Sequence, residues 1–214
     1  MKNSKTRSLV IMGILTALML IFSFTPIGTI PIGPLSISLN VIPVAIAAVV
    51  LGPAGGAAAG AIFGMLSFLQ CFGIGIPSGM GAALVAINPF LAFVQRFIPR
   101  LLDGLLVGLL FRAVSKKNST AACFVTGFFS AFLNTLFFMS ALVLLFGNTE
   151  YIQGLMDAKG THNVFLFICL FVGVNAVCEM IVSTLLTGAI GTALIKARVI
   201  PSSEKPAAAH TETV

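Results

Sequence analysis

Residues 88–111 read NPFLAFVQRFIPRLLDGLLVGLLF, and the only charged residues among them are Arg96, Arg100 and Asp103. Spaced four and then three apart, these three share one face of a helix. The apolar pattern continues to about residue 114, long enough to cross a hydrocarbon core of about 30 Å. Ionisable groups at such depth are costly, and they turn toward a bundle interior or an aqueous cavity. The stretch therefore predicts a membrane-embedded helix whose single charged face looks inward.

Composition extends that reading to the whole chain. Of 214 residues, 58% are hydrophobic and 8% charged, against roughly 45–50% and 25% in soluble globular proteins. A mean hydropathy of +1.10 agrees. At roughly 20 residues per spanning helix, the length holds about six spans and leaves little for an extramembrane domain. The expected fold is all-α: a six-transmembrane-helix bundle forming one domain over 1–200, followed by a polar, disordered tail at 201–214.

Apolar runs place the other spans. The first, at 9–24, follows Lys2, Lys5 and Arg7. A secretory signal also begins with basic residues, but this run ends in Pro26, Gly28 and Pro31 without a clear cleavage site, so it reads as a retained helix. The segment TPIGTIPIGPLSIS (25–38) alternates Pro, Gly and β-branched residues and suits an extended or hairpin-like loop. A short second span at 39–51 is broken by Gly52-Pro53. The third covers 54–72, and a Gly-rich stretch at 73–87 leads to the fourth at 88–114. The fifth and sixth cover 121–146 and 164–197.

Six spans put Lys2, Lys5, Arg7, Arg112, Lys116, Lys117, Lys196, Arg198 and Lys205 on one side. The opposite loops hold Lys159 with Glu150 and Asp157. The positive-inside rule then sets both termini in the cytoplasm. That bias accounts for the net charge of +6, so nucleic acid is not an expected partner; the lipid bilayer is.

Several chemistries are excluded by absence from the sequence. There is no Gly-x-x-x-x-Gly-Lys-Ser/Thr loop to cradle ATP phosphates, no His-Glu-x-x-His, no Gly-x-Ser-x-Gly and no Cys-x-x-Cys. Histidine occurs only at 162 and 210. Cys71, Cys123, Cys169 and Cys178 lack metal-ligand spacing and read as small buried hydrophobes. Neither an enzyme, a metal nor a cofactor is expected.

Small residues mark helix contacts. Gly52, Gly56, Gly60 and Gly64 recur every four residues, a pattern that lets helix backbones approach closely and here reads as packing within the protein. Gly13 and Ala17 form a second small-residue face, open to internal packing or to a partner helix.

Polar groups at depth suggest a site. Counted from the outer helix ends, Arg96 lies about 12 Å deep, Arg100 about 18 Å and Asp103 about 22 Å. Asn134 lies about 18 Å, Asn175 about 16 Å and Glu179 about 22 Å from their own outer ends. Gln70 and Asn88 sit nearer the surface beside the Pro/Gly-rich loops. Two readings stay open: an interhelical ion network joining Arg96 or Arg100 to Glu179, or a ligand site. An arginine fork suits a carboxylate or phosphate.

These features together resemble the substrate-binding S component of energy-coupling factor (ECF) vitamin transporters, over about residues 7–197. The resemblance rests on the basic N-terminus before Gly13 and Ala17, on IPIGPLSISL (30–39), on VLGPAGGAAAGAIFG (50–64) and on 88–111. Where the family has Ala-x-x-x-Ala in its first helix, this chain has Gly-x-x-x-Ala. The resemblance implies a cell-membrane protein that captures a vitamin outside and works with a transmembrane coupling subunit, met through Gly13 and Ala17, and with two ATPases. It further implies that loop 25–38 acts as a lid, and that the protein topples in the membrane to release its substrate. Asn88, Pro89, Pro99 and Arg100 look most like the pantothenate type, with riboflavin, folate and thiamine as alternatives. The implied substrate-binding residues are Gln70, Asn88, Arg96, Arg100, Asn134, Asn175 and Glu179. Competing readings are a stand-alone ion-coupled carrier using Asp103 or Glu179, and a non-transporting assembly protein of a membrane complex.

Overall fold

A computed structural model describes residues 2–26, 28–32, 35–161 and 163–199. Ile27, Gly33 and Pro34 of the 25–38 loop, His162 and the tail at 201–214 lie outside the described residues. Helix α1 (Lys2–Phe24) leads into an antiparallel hairpin, β1 (Thr29–Ile32) with β2 (Leu35–Ser38). Then come α2 (Val41–Leu69), α3 (Gly79–Ile87), α4 (Pro89–Val114), α5 (Ser119–Phe146), α6 (Glu150–Ala158) and α7 (Val164–Lys196). A single 3₁₀ turn, Gln70–Phe72, extends α2.

Among the described residues, four helical segments are long and apolar enough to cross a membrane: Lys5–Phe24, Val41–Phe72, Ser119–Phe146 and Asn175–Lys196. α4 has 26 residues, about 39 Å of helix, but Arg96, Arg100 and Asp103 make it more polar than these. It hides that polarity: all three residues are buried.

The run through α2 is not straight. Gly52 has φ 76° and ψ −168°, a left-handed-side conformation that glycine adopts without a Cβ clash. A methyl placed on Gly56 would lie 2.9 Å from the Ala48 methyl. A straight helix separates those residues by about 12 Å, so the chain turns back sharply at Gly52-Pro53, where the sequence predicts a break.

The glycine row after this turn packs against α4. A methyl on Gly56, Gly60 or Gly64 would strike the backbone of Gly104, Arg100 or Phe97 respectively, and one on Gly108 would strike Pro53. The pairing is antiparallel and nearly backbone to backbone. Gly127 of α5 sits in the same manner against the Ser183 carbonyl and Thr187 of α7. α1 attaches through Leu15 and Met19, which join Val44, Ala59 and Phe63 in one apolar cluster.

Two short helices depart from the sequence expectation of plain loops. In the Gly-rich stretch, Ser78 caps α3 by accepting from the Gly81 amide, and Met80 and Leu84 are buried. Thr149 caps α6 likewise through the Ile152 amide, and Ile152 and Met156, four apart, are buried. Met80, Leu84, Ile152 and Met156 meet Phe138, Leu142 and Phe146 of α5 in one cluster at a single end of the bundle. Cysteines 71 and 123 are buried as expected, whereas Cys178 is exposed.

Candidate functional site

Between that capped end and the middle of the bundle lies a cavity. The space outside the protein atoms there, open mouth included, is about 780 Å³. Six of the residues singled out from the sequence line it: Gln70, Arg96, Arg100, Asn134, Asn175 and Glu179. They come from the end of α2 and from α4, α5 and α7, so the polar groups matched in depth do converge.

The two arginines differ. Arg96 donates from Nη1 to Ser67 Oγ (3.3 Å) and from Nη2 to Ser78 Oγ (3.0 Å). Arg100 makes no such bonds, and its buried Nε and Nη1 have no hydrogen-bond partner. Aromatic faces hold it instead: its Cζ lies 4.4 Å from the Phe138 ring centre and 5.1 Å from that of Phe63, inside cation–π range. Arg96 shares the Phe138 ring at 5.1 Å. Phe138 thus keeps two mutually repelling guanidiniums in register. The polypeptide beneath them is fixed by the α2–α4 contact, since Gly60 abuts the Arg100 carbonyl.

Among the described residues, neither arginine forms an ion pair with Glu179 or Asp103. Of the two readings left open, the interhelical ion network is absent among the described residues, which show separate arrangements. Glu179 Oε1 accepts the Ser38 backbone N–H at 2.7 Å, which ties the end of β2 to α7 at the cavity wall. Asp103 is buried outside the cavity lining, where Ser130 Oγ donates to its Oδ2 at 3.5 Å.

Gln70 lines the cavity, but its Nε2 donates to the Ser23 carbonyl (3.2 Å), which also accepts the Ile76 amide (3.0 Å). The end of α1 is thereby held to the loop before α3. Asn134 Oδ1 is buried without a partner. Asn88 is not part of the lining: its Oδ1 accepts the Leu91 amide at 3.1 Å and caps α4, ahead of Pro89 at the first helical position. That satisfies an otherwise free helix-end donor, and so the structure gives Asn88 a folding role.

Sequence reasoning missed Phe63, Ser67, Ser78 and Phe138. Ser67 lies three residues before Gln70 on one helix face, a spacing that could have exposed it. No such signal marks the two phenylalanines among 19 in the chain. Gly13 and Ala17 are not on the cavity lining; both are exposed, and nothing stands within 4 Å of a methyl built on Gly13.

The cavity has polar and apolar walls within an apolar helical bundle, and Arg100 on its lining keeps two unpartnered nitrogens. Residues 7–191 match the family model "ECF transporter, substrate-specific component". The Pantothenate transporter PanT of Leuconostoc mesenteroides subsp. mesenteroides is 31% identical, across 91% of this chain and 95% of that protein. The Pantothenic acid transporter PanT of Lactococcus lactis subsp. cremoris is 26% identical, across 92% and 98%. The match spans every element that builds the cavity except the last residues of α7 and the start of α1, and by it the chain belongs to the family of substrate-specific components of ECF transporters.

Proposed function

We propose that this chain captures pantothenate at the outer face of the cell membrane and delivers it to a transmembrane coupling subunit driven by two ATPases. The observation that carries the reading is Arg100, buried in the cavity with Nε and Nη1 unpartnered. An unpaired buried cation is costly, and a ligand carboxylate would offset that cost through a charge-assisted bond. Pantothenate supplies a carboxylate, and both named relatives are pantothenate transporters by description.

The accompanying architecture is one membrane domain over 1–200 with six segments: α1, the two arms of α2, α4, α5 and α7. Both termini face the cytoplasm, and the tail at 201–214 extends from the bundle. The turn at Gly52 and the inward burial of the α4 charges support this count. The exposed Gly13–Ala17 face supports α1 as the docking surface for the coupling subunit. The substrate-binding residues we assign are Arg96, Arg100, Asn134, Asn175 and Glu179, with Gln70 holding the wall.

The test is binding followed by transport. The purified chain should bind radiolabelled pantothenate without ATP, and mass spectrometry should find it co-purifying. Liposomes holding the chain alone should take up none, and uptake should begin when coupling subunit, ATPases and ATP are added. Uptake by the chain alone under an ion gradient would refute the proposal, as would binding of riboflavin, folate or thiamine in preference.

A further inference from the structure

Glu179 is a puzzling lining residue for a site that binds anions, since its charge opposes a carboxylate. Its two oxygens are used differently. Oε1 holds the Ser38 N–H of the hairpin at 2.7 Å. Oε2 has no hydrogen-bond partner among the described residues, and Glu179 lines the cavity. Asn134, on the same lining, has a sealed Oδ1 that also lacks a partner. The cavity wall therefore makes two kinds of demand. The Arg100 guanidinium calls for an anion, and the Glu179 carboxylate calls for a hydroxyl or amide donor.

Charge balance sharpens the demand. The ionisable residues on the cavity lining are two arginines, Arg96 and Arg100, and one acid, Glu179. A ligand carboxylate adds one negative charge. A phosphate monoester adds roughly 1.5 to 2 more, with no donor to offer Glu179 in place of the esterified hydroxyl. Repulsion between like charges is strong in so buried a place.

We propose that Glu179 is the specificity residue that makes this site accept a monoanion carrying hydroxyl or amide donors and reject its phosphate ester, while the same carboxylate fastens the hairpin through Ser38. This rests on the pantothenate reading above and deepens it. One carboxylate thereby couples the ligand to the hairpin: a donor from the ligand leaves Oε1 free to hold Ser38, whereas a second anionic group drives Glu179 away from both. Rejecting phosphorylated molecules is selection by repulsion, which complements the attraction at Arg100.

The experiment compares pantothenate with the phosphate ester of its terminal hydroxyl in direct binding to the detergent-purified chain, with amide hydrogen exchange followed at Ser38. Wild type should prefer pantothenate by at least about a hundredfold. Glu179→Gln should shrink that ratio by about tenfold or more, by strengthening ester binding as well as weakening pantothenate binding. Glu179→Asp keeps the charge with a shorter reach, so it should keep the preference while Ser38 exchanges faster. Equal wild-type affinities for the two molecules, or an unchanged ratio in Glu179→Gln, overturns the specificity role. Unchanged Ser38 exchange in Glu179→Asp overturns the fastening role. Should wild type bind neither molecule, the pantothenate reading itself fails, and the Ser38 arm still decides the tether.

Discussion

Arg100 and Arg96 carry the same charge one helical turn apart, yet their surroundings assign them different work. Ser67 and Ser78 occupy both terminal nitrogens of Arg96, whereas Arg100 rests on two aromatic rings. Arg100→Ala is expected to weaken pantothenate binding by about tenfold to a hundredfold, the loss of one charged hydrogen bond. Calorimetric titration checks this, provided that the variant elutes as a folded monodisperse protein. If it binds as wild type does, the role assigned to Arg100 is wrong. Asn88→Ala should cost about 1 kcal/mol of stability through loss of a helix cap. Thermal unfolding would register it, without the large affinity loss of Arg100→Ala. Isolated polar residues in apolar runs were legible because lipid tolerates them only where something satisfies them, and so Arg96, Arg100, Asn134, Asn175 and Glu179 could be read together. The capping role of Asn88 could not be told from a ligand contact in the sequence, because both can use the same side-chain oxygen. Phe63 and Phe138 could not be read, since a ring over a guanidinium has the same sequence signature as a ring facing lipid.

Helices 2 and 4 meet through glycine, and that contact sets where the arginines stand. A methyl at Gly60 has no room against the Arg100 carbonyl. Gly60→Ala should destabilise by about 1–3 kcal/mol through overpacking and should lower ligand affinity as α4 shifts. A melting curve and a titration on one preparation test both, and a fully stable variant with normal affinity would contradict the packing argument. The four-residue glycine spacing revealed a close contact, but its partner, including Gly104 and Gly108, emerges only once α2 turns at Gly52. The caps of α3 and α6 were hidden for another reason: each helix has only 9 residues, and a loop-like composition surrounds it. On α1, the exposed Gly13–Ala17 face leads to an expectation of its own. Ala17→Leu should spare pantothenate binding and block assembly with the coupling subunit, as read by co-purification. Preserved assembly would remove this face from the interface.

Across the whole molecule, charge asymmetry makes a prediction about orientation. Single cysteines introduced at Lys117 and at Asp157 in a cysteine-free background should label from opposite sides of the membrane, Lys117 from the cytoplasm. Labelling of both from one side would refute the six-segment arrangement. The pattern of cations was legible because it depends only on sequence order, whereas the cavity's shape depends on helix tilt, which hydropathy does not specify. The glycine contact also has a mechanical meaning. Helices joined backbone to backbone have no side-chain cushion to shear across, so α2 and α4 must travel as one stiff plate. Movement during a transport cycle is then confined to the seams around that plate, and the cavity straddles one of them, with Arg100 on the plate and Glu179 across the gap on α7. A substrate that touches both residues is a rivet across the seam. Loading would stiffen the molecule, and an empty protein would be the more pliable one.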